Sequence, residues 1–228
     1  MQQFDVKNIA IVSPVAHAQT KNSADSAKWA VVNGMEMAVE FASADIEQAR
    51  KKVLGVTDVS CLERYGVKGP LASQWLASRE ITIPANPNTW TLCDQKTLVL
   101  RLGSSEFLIE DQLGGTACKK LAGDTTRVAG VYMVPRADAA FILSGSAVLN
   151  LFSELCALDL RDKSLCDKDV IMTQIAGISA TVLRQTIGNE PIYRIWCDGT
   201  YGAYLWEVLT EIAVELGGGA VGIARCQN

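Results

Sequence analysis

Histidine is nearly missing from this chain: a single one, His17, stands in 228 residues. Nucleophilic catalysis usually needs a histidine as base beside the serine or cysteine. The only candidate lies in a weakly patterned N-terminal stretch, where a surface histidine is the simpler expectation. Phosphate-binding glycine motifs are missing as well, since no GxGxxG follows a strand-like run and no GxxxxGK[ST] occurs. "GGTACKK" (114–120) follows "LIED", whose acids repel phosphate. "LGGGAVG" (216–222) ends a helix-like run, at the pole of the dipole that repels anions, and reads as a helix stop and flexible exit. Carboxylates are plentiful, yet none forms a pair at fixed spacing on an apolar element. The residues therefore predict no catalytic, cofactor-binding or metal-binding site in this chain.

Blocks of one charge are also lacking. Net charge is −4, mixed along the sequence, and no basic stripe offers a nucleic-acid backbone anything to bind. No apolar run is long enough for a signal peptide or a membrane span, so a cytoplasmic protein is expected. The seven cysteines, Cys61, Cys93, Cys118, Cys156, Cys166, Cys197 and Cys226, form neither CxxC nor zinc-finger spacing. Most stand among apolar residues and read as small buried hydrophobes in a reducing compartment.

What is present is a globular composition, 49% apolar and 20% charged. At this length about 70–75% of the unfolded surface is buried on folding, enough for a core without staples. Residues 1–30 are polar and weakly periodic apart from Ile9–Val12, and read as an extended arm ordered by a partner, anchored by Phe4, Ile9, Ile11 and Val12. "SADIEQARKKVLG" predicts a helix capped by Asp45 with Gln48, stopped by Gly55, and apolar along Ile46, Ala49, Val53 and Leu54.

Two strand–glycine–helix units follow. In "VTDVSCLERYGVKGPLASQWLAS" the strand ends at Gly69 and Pro70 fits the first helical position; in "DAAFILSGSAVLNLFSELCALDL" the strand ends at Gly145. Each unit leads into a hairpin, the first turning at Gly103-Ser104-Ser105 and the second at Gly188-Asn189. Each then reaches a helix: a weak one around Gly114 and Gly115, and a strong one along Tyr201, Tyr204, Leu205, Val208, Leu209, Ile212, Ala213 and Leu216. The hairpin arginines Arg101 and Arg184 are offset by nearly the same interval as Gly69 and Gly145. The fold class expected is α+β, two tandem β-α-β-β-α pseudo-repeats sharing one core, over residues 31–130 and 131–228 behind the arm 1–30.

These residues carry a family likeness. Gly55, Val56, Asp58, Ser60, Val67, Gly69, Ala72 and Leu76 stand in a "G-V-x-D-x-S … V-x-G-x-x-A … L" pattern that resembles folate-dependent aminomethyltransferases of the glycine-cleavage T-protein superfamily. The second half is similar to the gamma subunit of heterotetrameric sarcosine oxidases and N-methylglutamate dehydrogenases. That likeness rests on Ser144, Gly145, Ser146, Cys156, Leu158, Asp159, Leu160, Thr173, Gln174, Ala176, Gly177, Ile178, Arg184, Leu205, Trp206 and Leu209. The T-protein "GG-I-x-D-D-L" strand, whose aspartate assists one-carbon transfer to tetrahydrofolate, has no counterpart: "WTLCDQKTLVLRL" stands there, and Asp94 precedes the strand. The "K-G-C-Y-x-G-Q-E" signature of the folate-binding iron–sulfur assembly relatives is missing, with only Cys166 in "KSLCDKDVIMTQ". The C-terminal barrel domain has no counterpart either.

The resemblance implies a non-catalytic gamma subunit of a cytoplasmic heterotetramer that oxidises N-methyl amino acids. It implies alpha, beta and delta partner subunits, with FAD, FMN, NAD and tetrahydrofolate held in partners and no cofactor on this chain. No nucleic acid or membrane partner is expected. The alternative is a truncated folate-binding one-carbon transfer protein acting alone.

Overall fold

The computed structural model describes residues 11–22, 27–160 and 168–226. Phe4, Ile9 and Cys166 lie outside the described residues. The stretch expected as an extended arm contains a two-residue strand, β1 (Ile11–Val12), and a helix, α1 (Ala16–Asn22). Next comes a hairpin that sequence reading missed, β2 (Lys28–Val32) and β3 (Met35–Glu40), with β1 on the free side of β3. Its two-residue turn, Asn33-Gly34, has φ of 50° and 79°, the left-handed pair that matches the twist of antiparallel strands.

The capped helix exists as α2 (Ala44–Leu54), but two details differ. Ser43 holds the N-cap position, and Asp45 stands in the first turn, where its charge complements the dipole. The inward face carries Glu47 and Leu54, while Ile46 is 49% exposed. Glu47 is buried because its Oε1 accepts the backbone N–H groups of Phe41, Ala42 and Gly222. An apolar stripe was the wrong guide here: a buried acid satisfies the loop that enters the helix.

β4 (Gly55–Asp58) follows without a break, then β5 (Arg64–Lys68), α3 (Ala72–Ala77), β6 (Thr89–Cys93), β7 (Thr97–Arg101), β8 (Glu106–Asp111) and α4 (Ala117–Gly123). β9 (Tyr132–Val134) leads to β10 (Asp138–Ser144), α5 (Val148–Leu155), β11 (Val170–Ile175), β12 (Ile178–Ile187), β13 (Glu190–Asp198), α6 (Gly202–Glu215) and β14 (Gly219–Ala220). Each strand–helix unit is thus followed by three strands before its second helix, one more than β-α-β-β-α. Pro70 precedes α3 in a turn closed by Ala72 N–H to the Gly69 carbonyl, rather than opening the helix.

The sheets are laid out alike, in the orders β6-β7-β8-β5-β9 and β11-β12-β13-β10-β4-β14. β4 leads into β5 yet pairs with β10, and β9 leads into β10 yet pairs with β5. Neither sheet is complete without a strand from the other side of the chain. They pack face to face through Leu98, Leu100, Leu108, Ile142, Leu183 and Trp196. Period-two alternation sends the other faces outward. Phe107 and Ile109 meet Trp75 and Leu121 of α3 and α4. Phe141 and Ile195 meet Val15, Phe152, Trp206 and Leu209 of the opposite helix layer. The result is an α+β arrangement of helix, sheet, sheet and helix layers. Along α6, Leu205, Leu209 and Ala213 of the expected stripe are buried and Trp206 joins them, whereas Tyr204, and Tyr201 just before the helix, are about half exposed.

The glycine run after α6 is an ordered junction and not a loose exit. Gly219–Ala220 pairs parallel to β4, and Gly218 and Gly222 press against the carbonyls of Leu54 and Val39, leaving no room for a Cβ. Among the described residues no helix is long and apolar enough to cross a membrane.

Candidate functional site

The first family-like stretch folds into structural devices. A Cβ on Gly55 would stand 2.8 Å from Ser144 Oγ, so this glycine lets β4 lie close against β10. Asp58 turns inward at the end of β4. Its carboxylate accepts Ser13 Oγ–H at 2.6 Å, Gln19 Nε2–H at 3.2 Å and Ser60 N–H at 2.9 Å. Burial pushes this carboxyl above its ordinary range, against the lowering effect of the Ser13 and Ser60 bonds. Ser60 Oγ in turn accepts the Ala140 N–H. Asp58 and Ser60 therefore clamp α1 and β10 onto β4.

The junction glycines are places of close approach. Gly145 has φ +108°, and a Cβ there would lie 2.5 Å from the Val53 carbonyl oxygen. Gly69 has φ +123° and faces the Gly130 carbonyl in the same way. Ser144 is buried under Gly55, and Ser146 N–H donates to the Lys52 carbonyl. Of the second family-like stretch, Leu205, Trp206 and Leu209 are core, and Leu158 is 48% exposed. Ala176 and Gly177 form the β11–β12 turn with φ of 50° and 80°. Asp94 caps the β6–β7 turn by accepting the Lys96 and Thr97 N–H groups. His17 is exposed on α1.

The feature that sequence reading missed lies between the sheets. Glu110 on β8 is fully buried and takes Arg64 Nε–H at 2.7 Å and Trp196 Nε1–H at 2.6 Å on Oε2. Its Oε1 accepts Arg194 Nη1–H at 3.0 Å. Arg194, 2% exposed, also donates to Gln185 Oε1 at 3.0 Å and to Gln112 Oε1 at 2.7 Å. Arg64 also donates to the Ser60, Val59 and Asp138 carbonyls. Beside this network is a cavity of about 400 Å³, with Arg194, Gln185 and Gln112 on its floor and Ile142, Ile223 and Leu113 on its walls. Glu110, which does not line the cavity but lies behind Arg194, has both oxygens occupied by cations and an indole. General-base chemistry needs a carboxylate within reach of a substrate proton, and Glu110 is already spent. "EFLIEDQ" carried the only signal, an acid in phase with the core face of an alternating strand.

Burial pushes the Cys61 and Cys197 thiols up to about 12 and raises Cys118 and Cys226 too, so none is a ready thiolate. Among the described residues no three histidine, cysteine or acidic side chains gather into a metal-binding group.

No family model and no curated protein matches the sequence. Solved structures do. The fold is similar to glycine cleavage system aminomethyltransferase T from Bartonella henselae, at 15% identity and TM-score 0.68, over 94% of this chain and 60% of that one. It is also similar to a chain of the heterotetrameric sarcosine oxidase from Corynebacterium sp. U-96, at 19% identity and TM-score 0.64, over 92% of this chain and 98% of that one. The chain thus spans under two thirds of the aminomethyltransferase and nearly all of the oxidase chain. At these identities the likeness establishes an aminomethyltransferase-like fold.

Proposed function

We propose that this chain is a non-catalytic gamma-type subunit of a flavoenzyme complex that oxidises N-methyl amino acids. The observation that carries the reading is the similarity of the fold, over 92% of this chain, to a chain of a heterotetrameric sarcosine oxidase. The closed Glu110–Arg64–Arg194–Trp196 network supports it, because its one carboxylate is fully occupied and not poised for one-carbon transfer. In this reading alpha, beta and delta partners hold FAD, FMN, NAD and tetrahydrofolate, and this chain completes their shell.

A second reading is a folate-binding one-carbon transfer protein acting alone, favoured by the cavity of about 400 Å³ beside Arg194. Purifying the tagged chain from its own host separates the two. Co-elution with larger chains, flavin absorbance and oxidation of an N-methyl amino acid support the first. A protein that elutes alone and binds tetrahydrofolate supports the second and overturns the first.

A further inference from the structure

The inner face of the six-stranded sheet is longer than the sheet that covers it. Along β12 the inward side chains run from buried Gln185 and Leu183 through half-buried Thr181 to exposed Ser179. On β11 the same face passes from buried Val170 to Met172, which is 54% exposed. On β13 it passes from buried Trp196 to exposed Asp198. This bare end floors an open groove of about 620 Å³ with Leu158 and Met172 at its far rim. A second groove, about 810 Å³ and walled by Ile11, Val12 and Met35, shares Arg136, Asp138 and Asp198 with the first. The two form one trough.

Its ends are apolar and its middle is charged. Ile11 and Val12 are 62% and 61% exposed at one end, and Leu158 and Met172 are 48% and 54% exposed at the other. Clustered exposure of this kind marks contact surfaces. In the middle Arg136 is committed to Asp138 through bonds of 2.8 and 2.9 Å. Asp198 accepts hydrogen bonds from the Thr200 N–H and hydroxyl, and no cation among the described residues pairs with it. The trough is open along its length, so a small ligand would keep much of its surface in water. An extended polypeptide would not, since its alternate side chains point the same way and reach successive parts of the floor.

We infer that this trough seats an extended segment of a partner chain, with apolar side chains at its two ends and a lysine or arginine on Asp198. The inference rests on the assembly reading above. The test uses the full-length tagged chain in its own host, with a photoreactive phenylalanine analogue in place of Val12 or Met172. Val214 on α6, 65% exposed and outside the trough, is the control position. Both trough positions should cross-link to one partner segment containing a basic residue, and Val214 should not. Asp198→Lys should weaken co-elution with that partner at least tenfold, and Asp198→Asn less. Cross-links to a second copy of this chain, to unrelated partners from the two positions, or an unaffected Asp198→Lys complex would overturn the inference while leaving the assembly reading in place. A chain that elutes alone in every form overturns the assembly reading itself, and this inference with it.

Discussion

Glu110 on β8 and Arg194 on β13 meet across the two sheets with Oε1 and Nη1 3.0 Å apart, both side chains almost wholly buried. A buried pair is weak evidence of net stabilisation, because desolvating both charges offsets most of their attraction. Breaking it is another matter. Glu110→Ala strands Arg64 and Arg194 in the core and should cost about 3–5 kcal/mol, read as a lower urea midpoint. Arg194→Met combined with Glu110→Gln should recover part of that loss. If Glu110→Ala unfolds at the parent's midpoint, the network is not holding the sheets together.

Asp58 gives the pH dependence a sign. Its folded carboxyl lies above the ordinary range, mainly through burial, so the folded state binds its proton more readily than the unfolded chain. Between that raised value and the unfolded one, about 3.9, stability contributed by this group grows as pH falls. Subtracting the stability curve of Asp58→Asn from that of the parent should show the parent gaining as pH is lowered from neutral toward about 4. A flat difference would show that the Ser13, Gln19 and Ser60 bonds cancel the burial.

Gly145 combines a left-handed backbone with a carbonyl 2.5 Å from where a Cβ would sit. Gly188 has φ +62° and open space around it. Alanine at both positions separates strain from crowding. Gly188→Ala should cost only the backbone term, about 1 kcal/mol; Gly145→Ala should cost distinctly more and Gly145→Val more again, as lower melting temperatures. Equal losses at the two sites would mean that the Val53 contact yields freely.

The strand–glycine–helix junctions were legible because the residues that make them are local: an alternating run, a glycine, then a helical stripe. α2 was legible as a helix but not in its orientation, since Glu47 satisfies N–H groups from Phe41 and from Gly222, far apart in sequence. The network around Glu110 was not legible at all. Its members come from β5, β8 and β13, and only the crossed pairing of β4 and β9 sets the two sheets in register. α1 escaped notice because its buried apolar residue Ala18, with Val15 just before the helix, is too little to show a period.

Among the described residues lining the inter-sheet cavity there is no aspartate or glutamate, and this carries a binding prediction. The isolated chain should elute without flavin absorbance and show no tetrahydrofolate binding in the low micromolar range by calorimetry. Glu110 is occupied by Arg64, Arg194 and Trp196, and opening the cavity floor for a ligand would uncover those charges. A yellow protein, or a measurable heat of folate binding, would return the transferase reading to first place.

Residues 13–19 tie the N-terminal stretch to this chain's own core, whatever the residues before them do. Val15 is fully buried and Ala18 is 1% exposed, both within the cluster that holds Phe141, Trp206 and Leu209. Ser13 and Gln19 supply two of the bonds on Asp58. Removing residues 1–22 therefore takes away a core valine, worth about 2 kcal/mol of burial, and leaves a buried carboxyl with fewer donors. That truncation should unfold at markedly lower temperature. Removing residues 1–10 alone leaves these contacts intact and is the reference truncation, against which the loss from removing 11–22 is read. Hydrogen exchange supplies the second check: the amides of residues 15–19 should be protected in the isolated full-length chain. Rapid exchange there, with stability unchanged by the longer truncation, would show that α1 docks only when a partner covers it.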